Sequence, residues 1–351
     1  AGPTPEPTPA AETTLTAADL TLEEKVGQLF IIRPDSLDLT LPQEQIDDAK
    51  ADGVTELTDV MRDALQKYPV GGVCQFGKNI VDPEQITAFN AALQEASDVP
   101  LFISVDEEGG AVARLANKDT FDLPRYESAA AVGAEGADAA CAMGQTIGGY
   151  LRTYGFNMDF APDADVNTNP DNPIIDAADC AAAMARGLAG EGILPTFKHF
   201  PGHGDTAEDS HTGLAYSYRT VDELAACELL PFEAAAEVGP RAVMVGHIVV
   251  PELTGDLPAT LCADAIALVP DAENTLIVTD SLAMGAITDS YTPGEAAVQA
   301  LQAGCDVLLM PDGLADAYDA VLAAVQNGTL SEDRLDLSVN KILRMKAQFC
   351  A

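Results

Sequence analysis

Eight short apolar runs, separated by longer helical stretches, constrain the fold of this 351-residue chain more than any other feature. The runs lie at residues 28–32, 70–76, 101–105, 156–161, 194–200, 242–250, 275–280 and 306–310. Helices are predicted around them near residues 83–97, 127–154, 177–190, 221–238, 294–303, 313–326 and 332–349. Continuous apolar strands that alternate with helices are typical of a parallel sheet with helices on its faces.

The strand count predicts a closed (β/α)8 TIM-type barrel, a single α/β domain over residues 16–351. An open doubly wound sheet is the alternative, but no glycine-rich phosphate turn follows any of the strands. Two helix starts are visible locally. Thr21 and Glu24 have the spacing of a capping box, and Asp82 precedes a proline at the first helical position.

Composition excludes several classes of protein. Hydrophobic residues make up 47% of the chain, which is enough for a sizeable core. No apolar run approaches the ~20 residues that span a bilayer, so no membrane span is expected. Eighteen Lys and Arg against 56 Asp and Glu give a net charge of −38. Such a charge repels nucleic acid and anionic membranes, and it favours solubility in a salty or acidic environment.

Cysteines and the N-terminus bear on where the protein works. The seven cysteines form no C-x-x-C pair, so they favour buried hydrophobic positions over a zinc ribbon or a redox dithiol. Residues 1–15 are rich in Pro and Thr and are predicted to be a disordered linker. We interpret this linker as the stalk of an exported, extracellular or cell-surface protein, with or without a lipid anchor. A disordered tail on a cytoplasmic protein is the alternative.

Polar residues interrupt the apolar pattern where the strands end. In a barrel, catalytic groups sit at the C-terminal ends of the strands. A rim of solvated charges would account for one or two such residues but fits the whole set poorly. The set comprises Arg33, Lys78, Asp106, Asp163, Lys198, His199, His247 and Asp280.

Three of the four histidines lie within residues 198–211, KHFPGHGDTAEDSH, directly after a predicted strand. Asp209 lies two residues before His211, a spacing that lets a carboxylate orient an imidazole for proton transfer. A metal site built from these histidines with Asp205 or Asp209 is the competing interpretation. The spacing matches no familiar helix-borne metal motif, so no metal and no cofactor are predicted.

Two further segments place carboxylates at strand ends. Asp280 follows an apolar strand and is suited to covalent attack or to stabilising a developing cation. Asp106 ends another strand, and Arg114 lies close enough in sequence to act as a fixed donor fork. Glu107 and Glu108 are taken as exposed loop charges. Together these groups favour carbohydrate chemistry, which needs several polar groups in one pocket and a nucleophile with a proton donor.

The segments KHFPGHGDTAEDSH, IVTDSLAMGAI and ISVDEEGGAVARL closely resemble the signature segments of glycoside hydrolase family 3, specifically its β-N-acetylhexosaminidase branch. The resemblance covers the chain from about residue 18 to residue 348. It implies a barrel, a retaining mechanism, and an exo-acting enzyme that removes terminal β-linked N-acetylglucosamine from peptidoglycan fragments or chito-oligosaccharides. The expected binding partner is then a carbohydrate substrate, and the protein is expected to be a monomer.

The resemblance also implies roles for individual residues. Asp280 would be the nucleophile, and His211 with Asp209 the acid/base pair. The positions that bind sugar hydroxyls match Asp106, Arg114, Lys198 and His199, to which His247 is added from its place near a strand end.

One segment departs from the family pattern. Relatives carry N-P-x-I-x-x-R-S-F-G, whereas here Asn172-Pro173-Ile174-Ile175 runs directly into Asp176 without the arginine or the aromatic residue. The resemblance therefore predicts one sugar-anchoring donor fewer. The alternatives that stay open are β-glucosidase or xylosidase specificity, phosphorolysis, a metal-dependent hydrolase, and a degenerate carbohydrate-binding protein.

Overall fold

A parallel sheet of eight strands surrounds the core of the protein, as seen in a computed structural model that describes residues 15–166, 174–203, 206 and 213–350. We number all strands in chain order, including four short ones outside the central sheet. They are β1 Phe30–Ile32, β2 Gly72–Cys74, β3 Phe102–Val105, β4 Glu107–Gly109, β5 Val112–Ala113, β6 Met158–Asp159, β7 Leu194–Phe200, β8 Ala215–Tyr216, β9 Arg241–Val245, β10 Ile248–Val249, β11 Thr275–Thr279 and β12 Leu308–Leu309.

The central strands are hydrogen-bonded in the order β11-β9-β7-β6-β3-β2-β1-β12. The sheet then curls back on itself, because Val278 of β11 forms a parallel bridge to Val307, directly before β12. The Thr279 N–H donates to the Val307 carbonyl oxygen at 3.0 Å at the same place. The predicted eight-stranded barrel is therefore confirmed in a nearly closed form, and the open doubly wound alternative is wrong.

Helices pack around this barrel. Their bounds are α1 Leu22–Gln28, α2 Gln43–Asp47, α3 Asp59–Lys67, α4 Pro83–Glu95, α5 Ala129–Gly133, α6 Ala137–Thr153, α7 Ile174–Gly190, α8 Val221–Ala226, α9 Leu230–Ala235, α10 Pro251–Thr254, α11 Ala263–Ile266, α12 Gly285–Thr288, α13 Pro293–Ala303, α14 Leu314–Gln326 and α15 Glu332–Phe349. In the described part of the chain, no helix is both long enough and apolar enough to cross a membrane.

The two helix starts visible in the sequence are confirmed. The Glu24 N–H donates to Thr21 Oγ1, while the Thr21 N–H donates to Glu24 Oε2 at 2.7 Å, so α1 begins in a capping box. At the start of α4, the Asp82 carboxylate accepts the Gln85 N–H at 2.9 Å.

Two predicted helices and one predicted strand are each divided in two. Gly136 has a φ of +97°, which ends the helical path between α5 and α6. The stretch 221–238 breaks at Cys227, whose backbone leaves the helical region between α8 and α9. The apolar run 242–250 divides at Gly246-His247 into β9 and β10. Periodicity alone missed these breaks because the flanking residues keep the apolar pattern.

Two small sheets are added where the central strands end. Strands β4 and β5 form an antiparallel hairpin directly after β3. Strands β8 and β10 pair in parallel, and each lies a short distance along the chain from a central strand, β7 and β9 respectively. Both additions therefore belong to the face of the barrel on which the candidate site lies.

Candidate active site

A cavity of about 730 Å³ opens at the C-terminal end of the barrel. Its wall brings together the polar residues that the sequence placed at strand ends, apart from His247. Those residues are Arg33, Lys78, Asp106, Asp163, Lys198, His199 and Asp280. A barrel produces this arrangement because its parallel strands all direct their C-terminal ends to one mouth.

Lys198 connects two carboxylates in the cavity wall. Its Nζ donates to Asp106 Oδ1 at 2.7 Å and to Glu108 Oε1 at 2.5 Å, and its side chain is only 4% exposed. Arg114 Nη2 lies 3.6 Å from Asp106 Oδ2. Burial by itself would lower the pKa of Lys198, but the charges and hydrogen bonds of the two carboxylates raise it above its usual value. Lys198 is therefore a fixed cation.

Asp106 is the matching fixed anion. Burial would raise the pKa of its carboxyl, but the charges of Lys198 and Arg114 outweigh burial and lower it. The result is an alternating row of acceptors and donors. Such a row suits the hydroxyl groups of a sugar, each of which both donates and accepts a hydrogen bond.

The expectation that Glu107 and Glu108 are exposed loop charges is wrong. Glu108 pairs with Lys198, and Glu107 is fully buried. The Glu107 carboxylate accepts the N–H groups of Leu115 and Ala116 at 2.8 and 2.9 Å and the Tyr150 hydroxyl at 2.8 Å. Glu107 thus holds the hairpin that carries Asp106, Glu108 and Arg114 to the cavity, although burial raises the pKa of its carboxyl.

His199 is charged because of Asp165. Its Nδ1 lies 2.8 Å from Asp165 Oδ2, while Asp165 Oδ1 accepts the backbone N–H groups of His199 and His203 at 3.2 and 2.7 Å. Burial alone would lower the pKa of His199, but the hydrogen bond and charge of Asp165, with the charge of Asp280, raise it to about 9. At neutral pH the ring is an imidazolium beside Asp280.

Asp280 lies directly after β11 and lines the cavity. Its backbone N–H donates to the Val245 carbonyl oxygen at 2.9 Å, and its Oδ1 accepts the Ser281 N–H at 2.7 Å. The β9–β11 ladder therefore fixes the position of this carboxylate, and none of the described residues forms a hydrogen bond with its Oδ2.

His247 lies behind the segment that carries Asp280 and is fully buried. Its Nδ1 is 2.8 Å from Thr260 Oγ1, and its Nε2 is 2.9 Å from the Ser281 carbonyl oxygen. Both ring nitrogens therefore contact protein groups, and burial lowers the pKa of the ring. The sugar contact predicted for His247 stays a prediction, while the geometry places the ring as a support for the chain beside Asp280.

An aromatic ring, that of Phe76, forms part of the cavity wall. The Phe76 ring lies beneath the guanidinium groups of Arg33 and Arg114, whose Cζ atoms are 5.1 and 5.8 Å from its centroid. Lys78 Nζ donates to the Ile46 carbonyl oxygen at 2.8 Å, which ties the segment after β2 to α2. The cationic groups of this wall are thus held in place by neighbouring parts of the protein.

The predicted acid/base pair cannot be placed by geometry. His211 and Asp209 lie outside the described residues, as do Asn172 and Pro173 of the segment that departs from the family pattern. The described residues nearest in sequence to this pair are His203, Thr206 and Gly213. His203 Nδ1 lies 2.6 Å from Thr206 Oγ1. The roles of His211 and Asp209 stay predictions.

Within the described ranges, one group of side chains has the spacing of metal ligands. Atoms of Asp163, Asp165 and His199 all lie within 4.8 Å of one another. His199 Nδ1 is hydrogen-bonded to Asp165 and the ring is protonated at neutral pH, so a metal ion would bind the ring only by displacing a proton from it. Asp163 is open to the cavity on one side, and the protein around its carboxyl, with the charge of Asp165, raises its pKa to about 6.

A barrel whose mouth holds a fixed carboxylate among hydrogen-bond donors suited to sugar hydroxyls is typical of carbohydrate-active proteins. Comparison with known proteins identifies the family. The model of the "Glycosyl hydrolase family 3 N terminal domain" matches residues 21–345. The chain therefore belongs to glycoside hydrolase family 3, as the resemblance in the sequence implied.

Individual relatives agree with this assignment. The chain is 31% identical over 335 residues to "Beta-hexosaminidase A" of Pseudoalteromonas piscicida, covering 84% of this chain and 56% of that protein. It is 32% identical over 332 residues to "Beta-hexosaminidase LpqI" of Mycobacterium tuberculosis, covering 88% of this chain and 83% of that protein. The chain thus spans little more than half of the first relative and most of the second.

Solved structures show the same likeness. The family 3 β-N-acetylglucosaminidase of Paenibacillus sp. FPU-7 superposes with a TM-score of 0.82 at 37% identity, over 94% of this chain and 62% of that chain. A family 3 glycosyl hydrolase of Mycobacterium smegmatis superposes with a TM-score of 0.77 at 30% identity, over 93% of this chain and 98% of that chain.

Sequence reasoning missed the groups that hold the site together. Asp165, Glu107 and Glu108 each make contacts that fix another polar group of the site. A signal for Asp165 was present, because it stands two residues after Asp163 beyond a strand end. Nothing in the sequence distinguished the buried Glu107 from an exposed loop charge, since its burial depends on Tyr150 of α6.

Proposed function

We propose that the chain is the catalytic barrel of an exo-acting, retaining β-N-acetylglucosaminidase. The observation that carries the proposal is the position of Asp280, a fixed carboxylate at the cavity wall of a family 3 barrel. The names of the relatives from Pseudoalteromonas, Mycobacterium and Paenibacillus support the acetamido sugar as the substrate over glucose or xylose.

In the first step, an Asp280 oxygen attacks the anomeric carbon while the bond from that carbon to the glycosidic oxygen breaks. His211 gives its proton to the departing oxygen, so the leaving sugar departs as a neutral alcohol. In the second step, His211 takes a proton from water, the water oxygen attacks the anomeric carbon, and Asp280 is released. Asp209 orients the His211 ring through both steps.

The remaining groups bind the sugar. Asp106, Lys198 and Arg114 supply an acceptor flanked by donors, and the imidazolium of His199 supplies another donor. These contacts hold the anomeric carbon against Asp280, which converts the first step into an intramolecular reaction. The natural glycan, a peptidoglycan fragment or a chito-oligosaccharide, follows from the same proposal.

The first test is release of the aryl group from an aryl β-N-acetylglucosaminide and from the matching aryl β-glucoside. We expect the wild type to hydrolyse the acetamido substrate, and Asp280→Asn to lose turnover because an amide is a poor nucleophile. Asp264→Asn, a change of the same kind at an exposed residue of α11, serves as the control. Hydrolysis of the glucoside alone would show that the enzyme acts on a glucoside and not on the acetamido sugar. Full activity of Asp280→Asn would contradict the proposed nucleophile.

The acid/base role of His211 is tested with two leaving groups. We expect His211→Ala to lose about 10²–10⁴-fold in rate on a substrate whose leaving sugar needs a proton. With an aryl leaving group that needs none, the loss in the first step should be much smaller. Equal losses on both substrates would contradict the acid role.

Phosphorolysis is kept as a second candidate because a histidine acid/base would not repel phosphate as a carboxylate would. The same assay with and without inorganic phosphate decides between the two reactions. N-acetylglucosamine 1-phosphate as the product would replace hydrolysis by phosphorolysis. If no substrate is turned over, the remaining interpretation is a carbohydrate-binding protein that has kept the fold and lost the activity.

A further inference from the structure

A pair of stacked tyrosines on the site face of the barrel has no part in the chemistry described above. The rings of Tyr216 and Tyr218 lie 6.0 Å apart between centroids and only 14° from parallel. Tyr218 is 81% exposed and is the one aromatic residue among the exposed large apolar side chains of the described ranges. An aromatic surface left so open to water is a mark of a binding site.

The backbone beneath the pair is fixed. Tyr216 belongs to β8, which pairs with β10, and the Ser217 N–H donates to the Val249 carbonyl oxygen at 2.9 Å. Ser217 itself is buried, so the alternation along the strand turns both tyrosines outward. On the far side, Arg219 Nε lies 2.7 Å from the buried Glu228 Oε1. The two rings are therefore presented by a strand anchored at both ends.

The position of the pair in the chain relates it to the leaving side of the substrate. Tyr216 follows the segment 203–213 that carries the predicted acid/base, and its partner strand β10 directly follows His247. An acid that protonates the glycosidic oxygen lies between the sugar being cleaved and the sugar that leaves. Neither tyrosine is among the described residues that line the cavity, and in an exo-acting enzyme the cavity takes the terminal sugar. An aromatic surface outside the cavity on the same face of the barrel is therefore available to the sugar that leaves. This step rests on the proposed function.

We propose that Tyr216 and Tyr218 form a subsite for a neutral sugar ring on the leaving side of the scissile bond, in particular an N-acetylglucosamine unit. A pyranose ring presents a flat face of C–H groups, and the negative face of an aromatic ring attracts such groups. The net charge of −38 disfavours anionic ligands. An uncharged chito-oligosaccharide is therefore favoured over an acidic muropeptide.

The test compares two substrates whose leaving groups both need a proton. Methyl β-N-acetylglucosaminide has no ring on the leaving side, whereas N,N′,N″-triacetylchitotriose has two. We expect Tyr218→Ala to lower kcat/KM for the trisaccharide about 3- to 10-fold, mainly through KM, with the methyl glycoside unaffected. Tyr218→Phe should retain wild-type values because it keeps the ring. Leu337→Ala removes an exposed apolar side chain from α15 and is the control.

Equal losses on the two substrates, or no loss on either, would overturn the subsite. Direct binding separates this result from a failure of the proposed function. The chain contains no tryptophan, so its fluorescence comes mainly from its eight tyrosines, of which Tyr216 and Tyr218 are two. If the wild type hydrolyses nothing, a trisaccharide titration that weakens about 3- to 10-fold in Tyr218→Ala still supports the subsite. Unchanged trisaccharide affinity, with self-association in sedimentation that Tyr218→Ala abolishes, would instead assign the pair to a contact between copies of this chain.

Discussion

At the scale of single residues, one carboxylate, that of Asp165, determines the charge of His199. Asp165 raises the pKa of His199 to about 9 against an ordinary value of 6.5, in spite of burial. The folded state therefore holds a proton that the unfolded chain has already lost at neutral pH. The resulting stabilisation is fully present below pH 6.5 and is lost as the pH rises through 9.

We expect Asp165→Asn to remove this pH dependence. The amide oxygen still accepts the N–H groups of His199 and His203, but the negative charge is gone and the ring is neutral at pH 7. The free energy of unfolding should fall on the order of 3 kcal/mol at pH 6, with a smaller effect at pH 9. Urea unfolding at several pH values measures both quantities.

Asp271→Asn is the matched control for that experiment. Asp271 Oδ2 pairs with Arg241 Nη2 at 3.1 Å at the other end of the barrel, and no histidine takes part in that pair. This variant should keep the wild-type slope between pH 6.5 and 9. A wild-type slope in Asp165→Asn as well would show that His199 is not charged in the folded protein.

At the scale of elements, glycines allow α6 and α7 to pack at very short range. A Cβ added to Gly144 of α6 would lie 2.2 Å from the Met184 carbonyl oxygen, and one added to Gly187 of α7 would lie 2.3 Å from the Cys141 carbonyl oxygen. Each contact is with backbone, which cannot rotate away. The pairing of these two helices, and with it the wall behind β6 and β7, depends on the missing side chains.

We therefore expect Gly144→Ala to destabilise the protein by about 1–3 kcal/mol, because α6 and α7 must move apart. Gly149→Ala in the same helix is the control, since its Cβ would meet only the Glu191 side chain at 3.8 Å. That change should stabilise by up to about 1 kcal/mol, as helix propensity predicts. Equal melting temperatures for the two variants would contradict the close packing.

At the scale of the whole molecule, a buried lysine ties the last helix to the start of the barrel. Lys346 of α15 is 3% exposed, and its Nζ donates to Gln28 Oε1. The same Nζ lies 5.3 Å from the centroid of the Phe102 ring. Burial lowers its pKa to about 7. Between pH 7 and 10.5 the unfolded chain binds this proton and the folded one does not, so this group makes stability rise with pH.

Replacing the lysine should remove that rise. We expect the stability of Lys346→Met relative to the wild type to be greatest below pH 7 and to decline toward pH 10, by several kcal/mol over the range. Lys50→Met, at an exposed position, makes the same change in net charge and should follow the wild type throughout. A constant difference between Lys346→Met and the wild type would mean that the lysine stays charged in the folded protein. The sign of this effect is opposite to that of His199, so the two groups can be distinguished in one pH series.

The barrel, and most of the charged residues that line its cavity, can be predicted from the sequence alone. Apolar runs must be buried and helices must cover them, so the order of elements follows from local patterns. The polar residues at strand ends then had to meet, because a closed parallel barrel offers them a single mouth. Lys198, Asp106 and Asp280 were found in this way.

Which polar groups support other residues of the site is visible only in the tertiary structure. Glu107 and His247 carry no local signal of their role, because that role depends on Tyr150 and Thr260, which folding brings close. Asp165 stands beyond a strand end, but its role depends on His199, 34 residues further along the chain. Protonation depends on the same contacts, as the charge of His199 shows. A sequence pattern specifies which face of an element is buried, whereas burial depth and electrostatic partners are properties of the assembled fold.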